Sequence, residues 1–146
     1  MPILRLLLLF TACTVLSGCG PKSPGLIPVK GSVLINGQPA ARVAVSLHHV
    51  DKSLTGNSAH PCAATDDKGQ FLLSTNKDGD GVMPGEFYVY FIWWSDPDPE
   101  KAKDLLAGAY SESQLSTFKI KIDANTTELP AFQLKADPAQ AKKFVK

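Results

Sequence analysis

The sequence has no excess of either charge. Lys and Arg number 15 against 14 Asp and Glu, so no global field draws the chain to nucleic acid or to an anionic bilayer. Cysteine is scarce, with three in 146 residues, too few for a disulfide-stapled scaffold. After residue 15 no apolar run approaches the roughly 20 residues that a membrane-crossing helix needs. What the chain does have is turn chemistry and strand formers: 11 Gly and 11 Pro, with Val, Ile, Phe, Tyr and Thr gathered in short runs. That pattern points to an all-β domain, and the length suits one such domain plus a leader.

The leader has a physical layout of its own. Residues 1–5 carry one positive charge, Arg5, and residues 6–15 form an apolar core of about ten residues followed by small side chains, which is the arrangement of a secretory signal. Leu16, Ser17, Gly18 and Cys19 resemble a bacterial lipobox, in which the cysteine takes a diacylglycerol on its sulfur and becomes the mature N-terminus. The resemblance implies a signal peptide over 1–18, lipidation at Cys19 (palmitate among the acyl chains) and a lipid-anchored tether over 19–26. Gly20 stands where an aspartate would resemble an inner-membrane retention signal, so the implied destination is the outer membrane. With Arg5 removed, 14 positive and 14 negative side chains remain, and the mature protein is neutral.

Cys13 leaves with the signal and Cys19 is consumed by the anchor, which leaves Cys62 as the remaining thiol. If Cys19 is not lipidated, it is free to pair with Cys62. The apolar run Cys62, Ala63, Ala64 suggests that Cys62 is a small buried hydrophobe.

Alternation of period two marks the strands. Val29, Gly31, Val33 and Ile35 share a face, Asn36-Gly37 supplies a turn, and Val43, Val45 and Leu47 resume the alternation, so two strands joined near that turn are expected, with pairing loosened by Pro39. A tight turn in TDDKGQF precedes Phe71, Leu73 and Thr75. In EFYVYFIWW, Phe87, Val89, Phe91 and Trp93 face one side and Tyr88, Tyr90, Ile92 and Trp94 the other; apolar on both faces, this strand is expected to be central. Asp98, Pro99, Ala102, Leu105, Leu106 and Gly108 give cap, first-turn proline, helical spacing and stop for one short helix. Phe118, Ile120 and Ile122 alternate in a further strand, and a last one ends near Phe132 and Leu134, ahead of a polar tail over 135–146 that is expected to be weakly ordered.

These elements predict a two-sheet β-sandwich of about seven strands over 27–134 with one short helix. Gly31, Asn36-Gly37, Thr65-Asp66, Gly69, Phe71, Pro84-Gly85 and Phe87 fall in the order seen in the transthyretin-like, carboxypeptidase-regulatory-like β-sandwich of many bacterial lipoproteins, which this chain resembles over residues 28–134. The resemblance implies a seven-stranded, Greek-key-like β-sandwich module without activity of its own. One enzymatic branch of that fold hydrolyses 5-hydroxyisourate with several histidines, an arginine and a C-terminal Tyr-Arg-Gly-Ser; here Arg42 is the one arginine after the leader and the sequence ends AKKFVK.

No catalytic constellation and no cofactor are therefore expected. Asn76, Asp78, Asp80 and Gly81 copy the first half of a calcium loop, but the twelfth position is Phe87 and Glu86 comes one place early. His48, His49, His60 and Cys62 are zinc-ligand types, yet neighbours on a strand point to opposite faces, so His48 and His49 cannot share a site, and no metal site is expected. The binding surface expected is the aromatic stretch Tyr88, Tyr90, Trp93 and Trp94, whose rings can stack and whose polar tips can hydrogen-bond. The competing expectation is that the helix around Leu105 and Leu106 covers it. The resulting functional expectation is a lipid-anchored, non-enzymatic binding or scaffolding module of the cell envelope, with an envelope protein or a glycan as its partner. A carbohydrate- or peptidoglycan-binding module is the alternative, and a small hydrolase stands third.

Overall fold

The computed structural model describes residues 25–98, 100–111 and 118–141. Its strands are β1 (Lys30–Ile35), β2 (Gln38–Pro39), β3 (Val43–His49), β4 (Cys62–Ala64), β5 (Gln70–Leu72), β6 (Gly85–Trp93), β7 (Phe118–Ile122) and β8 (Phe132–Leu134). One 3-10 turn spans Asn57–Ala59 and one helical turn, α1, spans Pro138–Ala141. Apart from the two-residue β2, seven strands build two sheets packed face to face. In one, β1 lies between β8, which runs parallel to it, and β5 and β2, which run antiparallel. In the other the order is β4-β3-β6-β7, antiparallel throughout. The hairpin from β4 to β5 crosses between the sheets, tied at its base by reciprocal Cys62 and Ser74 amide–carbonyl bonds of 2.9 Å.

Each sheet turns one face inward, as period two requires. Val33 and Ile35 of β1, Phe71 of β5 and Phe132 and Leu134 of β8 meet Val43, Val45 and Leu47 of β3 and Phe87, Val89, Phe91 and Trp93 of β6. The ring of Phe91 contacts those of Phe118 and Phe132 with centroids 5.5 and 5.0 Å apart. Gly31 is required here: the Phe71 ring lies where its side chain would be. The buried Thr65 hydroxyl donates to the Ala40 carbonyl (2.6 Å) and accepts from the Val43 amide (2.9 Å), closing the corner into β3.

Three expectations are corrected. β1 and β3 are not a hairpin pair: Asn36 and Gly37 take positive φ (52° and 80°) and turn the chain, but pairing ends after β2 at Pro39, and β3 enters the opposite sheet. The helix expected over 98–108 is not formed. A single turn starts at Asp98, whose carbonyl accepts from the Lys101 and Ala102 amides. The chain then peels away to pair with the end of β6, Leu105 donating to the Trp93 carbonyl at 2.8 Å. The Asp104 carboxylate takes the amides of Trp93, Leu106 and Gly108, and a side chain that competes for backbone amides in this way stops a helix. Nor is the start of the tail loose: the Asn36 side chain donates to the Ala136 carbonyl and accepts from its amide, and the Lys135 amide donates to the Tyr110 hydroxyl.

The loop over 76–81 closes on itself. The Asp80 carboxylate accepts the amides of Thr75 (2.7 Å), Asn76 (3.0 Å) and Lys77 (3.0 Å), so the oxygens that a calcium ion would need serve the backbone. These bonds, that of Thr75 foremost, hold the Asp80 carboxyl below its ordinary pKa of 3.8. A depressed folded-state pKa contributes stability above the unfolded value that is lost as pH falls through the folded one. Asp80→Asn is thus expected to lower the melting temperature at pH 7, and the gap from wild type is expected to close below about pH 4, read by thermal melts across pH. A gap that stays constant with pH refutes this role.

Candidate functional site

The outer face of the β4-β3-β6-β7 sheet gathers the residues with binding chemistry. Along β6, Tyr88, Tyr90 and Ile92 point outward, and Trp94 follows just beyond its end. The register sets Tyr88 opposite His48, Tyr90 opposite Ser46 and Ile92 opposite Ala44 on β3, and then Ser46 opposite Cys62 and Ala44 opposite Ala64 on β4. Two of the rings stand proud of the face: Tyr88 is 38% and Trp94 37% exposed. Leu105 and Leu106 do not cover this face, since both belong to the core.

Trp93 requires a correction. It lies on the opposite face of β6, 4% exposed, with its indole N–H donated to the Ala41 carbonyl at 3.1 Å. A ring whose face packs in the core and whose polar edge is engaged takes no part in an outer surface. Tyr88, Tyr90 and Trp94 remain. Cys19 lies outside the described residues.

Cys62 is also corrected. β4 is a sheet edge on which Ala63 points inward and Cys62 outward, so the thiol is free and exposed. His49 turns to the inner side against Phe87, ring centroids 4.9 Å apart, and its Nδ1 accepts the Asp51 amide. His48 turns outward and meets two rings, His60 at 4.6 Å and Tyr90 at 4.7 Å, both edge to face. Sequence reasoning had no means of pairing His48 with His60, because their juxtaposition depends on the β3–β4 register across a long loop. As placed, no three His, Cys, Asp or Glu among the described residues gather to hold a metal ion.

These rings line a cleft of about 520 Å³ whose far wall is the loop carrying Asp51 and Leu54. Nearby charges are balanced. Lys119 lies opposite Tyr88 in the β6–β7 register and bonds Glu86 at 2.9 Å, which holds the Glu86 carboxyl below and the Lys119 ammonium above their ordinary values. Asp51 accepts the hydroxyl and amide of Ser53, which lowers its pKa. Such a face suits stacking and hydrogen bonding to a neutral partner. A wider, shallower concavity of about 900 Å³ lies where the sheets join, between Lys30, Cys62, Gln70, Leu72 and Glu128. Lys30 and Glu128 pair across it at 3.1 Å, and it holds no aromatic cluster comparable to the β6 face.

No protein-family model matches the chain, and no curated protein does. The chain is similar to parts of three solved structures. One is the major pilin subunit BcpA of Bacillus cereus, with TM-score 0.47 and 10% identity, over 78% of this chain and 30% of that one. A 9R-lipoxygenase from Cyanothece gives TM-score 0.40 and 13% identity over 78% and 17%. Catechol 1,2-dioxygenase from Pseudomonas arvilla gives TM-score 0.40 and 16% identity over 82% and 56%. The chain thus spans less than two thirds of each of these proteins.

Proposed function

We propose that this chain is a lipid-anchored, non-enzymatic module of the bacterial envelope, of the transthyretin-like kind its motifs resemble, that binds a protein partner through the outer face of β6. The observation that carries the binding reading is the row Tyr88, Tyr90 and Trp94 on one sheet face, flanked by Ala44 and Ser46, with both terminal rings more than a third exposed. Large aromatic rings at the centre of an interface are its usual energetic anchors. The anchor reading rests on Leu16 to Cys19 and the signal-like run before them. Localisation to the outer membrane rests on Gly20, which stands where an aspartate would resemble an inner-membrane retention signal.

The test is cross-linking in cells, followed by mass spectrometry of what is captured. Wild-type protein is expected to capture one recurrent envelope protein, and Trp94→Ala to reduce capture at least tenfold, as loss of an anchor residue costing 1.4 kcal/mol or more would (about tenfold per 1.4 kcal/mol). Unchanged capture by Trp94→Ala refutes the surface. A second reading, a glycan or peptidoglycan module, draws on the same rings, whose hydroxyls and indole N–H can rim a sugar. It predicts saturable, glycan-dependent quenching of tryptophan fluorescence that Trp94→Ala abolishes and the buried Trp93 does not sustain.

A further inference from the structure

We propose that His48 and His60 form a binding site for a borderline transition-metal ion such as Zn²⁺ or Ni²⁺. The site is a product of sheet register. Ser46 opposes Cys62, the Leu47 amide donates to the Pro61 carbonyl at 2.8 Å, and just beyond the paired stretch His60, which ends the 3-10 turn, meets His48. The two rings stand with centroids 4.6 Å apart. An imidazole nitrogen binds Zn²⁺ at about 2.0–2.1 Å, so two rings sharing one tetrahedral ion have centroids about 5 Å apart.

Two of the three histidines in the chain thus converge, and the third, His49, is turned away by strand alternation. His60 is exposed and His48 half-buried beside an open cleft, so an ion reaches them from solvent. Imidazole favours Zn²⁺, Ni²⁺ and Cu²⁺ over Mg²⁺ and Ca²⁺, which prefer oxygen. The protein supplies two nitrogens and water completes the coordination. This site does not depend on the anchor or on a partner.

The test is calorimetric titration of the purified full chain with ZnCl₂ and NiCl₂, with MgCl₂ as control, while histidine ring resonances are followed by NMR. Expected are saturable binding of one ion, shifts of the His48 and His60 ring signals, and no Mg²⁺ binding. His48→Ala and His60→Ala are each expected to weaken binding at least tenfold, with His49→Ala and Cys62→Ser within twofold of wild type. Thermal melts check that each variant is folded, and His48→Gln serves should His48→Ala unfold. Wild-type-like binding by folded His48 and His60 variants, equal loss in His49→Ala or Cys62→Ser, or no binding at millimolar metal overturns the site.

Discussion

Gly81→Val is expected to destabilise the domain by about 2–6 kcal/mol, combining backbone strain of about 1–3 with overpacking of about 1–3. Gly81 is buried at φ +98°, where a side chain is strained in any surroundings. A Cβ there would also run into the Ile27 carbonyl, with its carbon 2.5 Å and the Pro28 nitrogen 2.8 Å away. None of these atoms can yield cheaply. Ile27 and Val82 exchange backbone hydrogen bonds of 2.8 and 3.0 Å, the Gly81 amide donates to the Leu73 carbonyl, and the Gly81 carbonyl accepts the buried Thr75 hydroxyl. Against a total of about 5–15 kcal/mol for a typical domain, the loss should lower the melting temperature by at least about 10 °C. Gly37→Ala is the control: φ is +80° but nothing lies within 4 Å of its Cβ, so strain acts alone and costs about 1–2 kcal/mol. Equal melting temperatures for the two variants would show that the contact with Ile27 and Pro28 does not matter.

The difference between those glycines also marks what a sequence can disclose. Asn36-Gly37 is legible because a two-residue turn is a local event, and alternation in 29–35 and 43–47 marked the inward faces of β1 and β3. Gly81 is not legible in this way, because its demand comes from Ile27, far away in the chain. The helix expected over 98–108 failed for a similar reason. Its cap and stop are real, as the Asp98 turn and the positive φ of Gly108 attest, but the open edge of β6 and the Asp104 carboxylate offered the amides better partners. In the candidate site, parity already separated Trp93 from Tyr88, Tyr90 and Trp94. What it could not supply was which face is inside, since both are apolar. Burial of Trp93 beside Phe91 decides that, and the His48–His60 pair appears only once β4 is laid against β3.

Cys19→Ser is expected to move the protein from the membrane fraction to the supernatant almost completely, and this is the largest functional effect anticipated. Each buried methylene contributes about 0.8 kcal/mol, so two or three acyl chains hold where one chain binds only reversibly. The chain after residue 18 is neutral, and among the described residues no helix is long and apolar enough to cross a membrane. The tether also sets geometry. Residues 20–25 span at most about 20 Å when extended, and they lead to Ile27, which pairs with Val82 just before β6 begins. β6 then runs away from that end for nine residues, about 30 Å at strand rise. On the anchored reading, that end carries the His48–His60 cleft toward the bilayer and holds Trp94 at the far end, where a partner can reach it. Fractionation and mass spectrometry of the Cys19 peptide give the test. Retention of Cys19→Ser in the membrane, or recovery of wild-type Cys19 in a disulfide with the exposed Cys62, would sink the anchor reading and leave the β6 surface to be judged on partner capture alone.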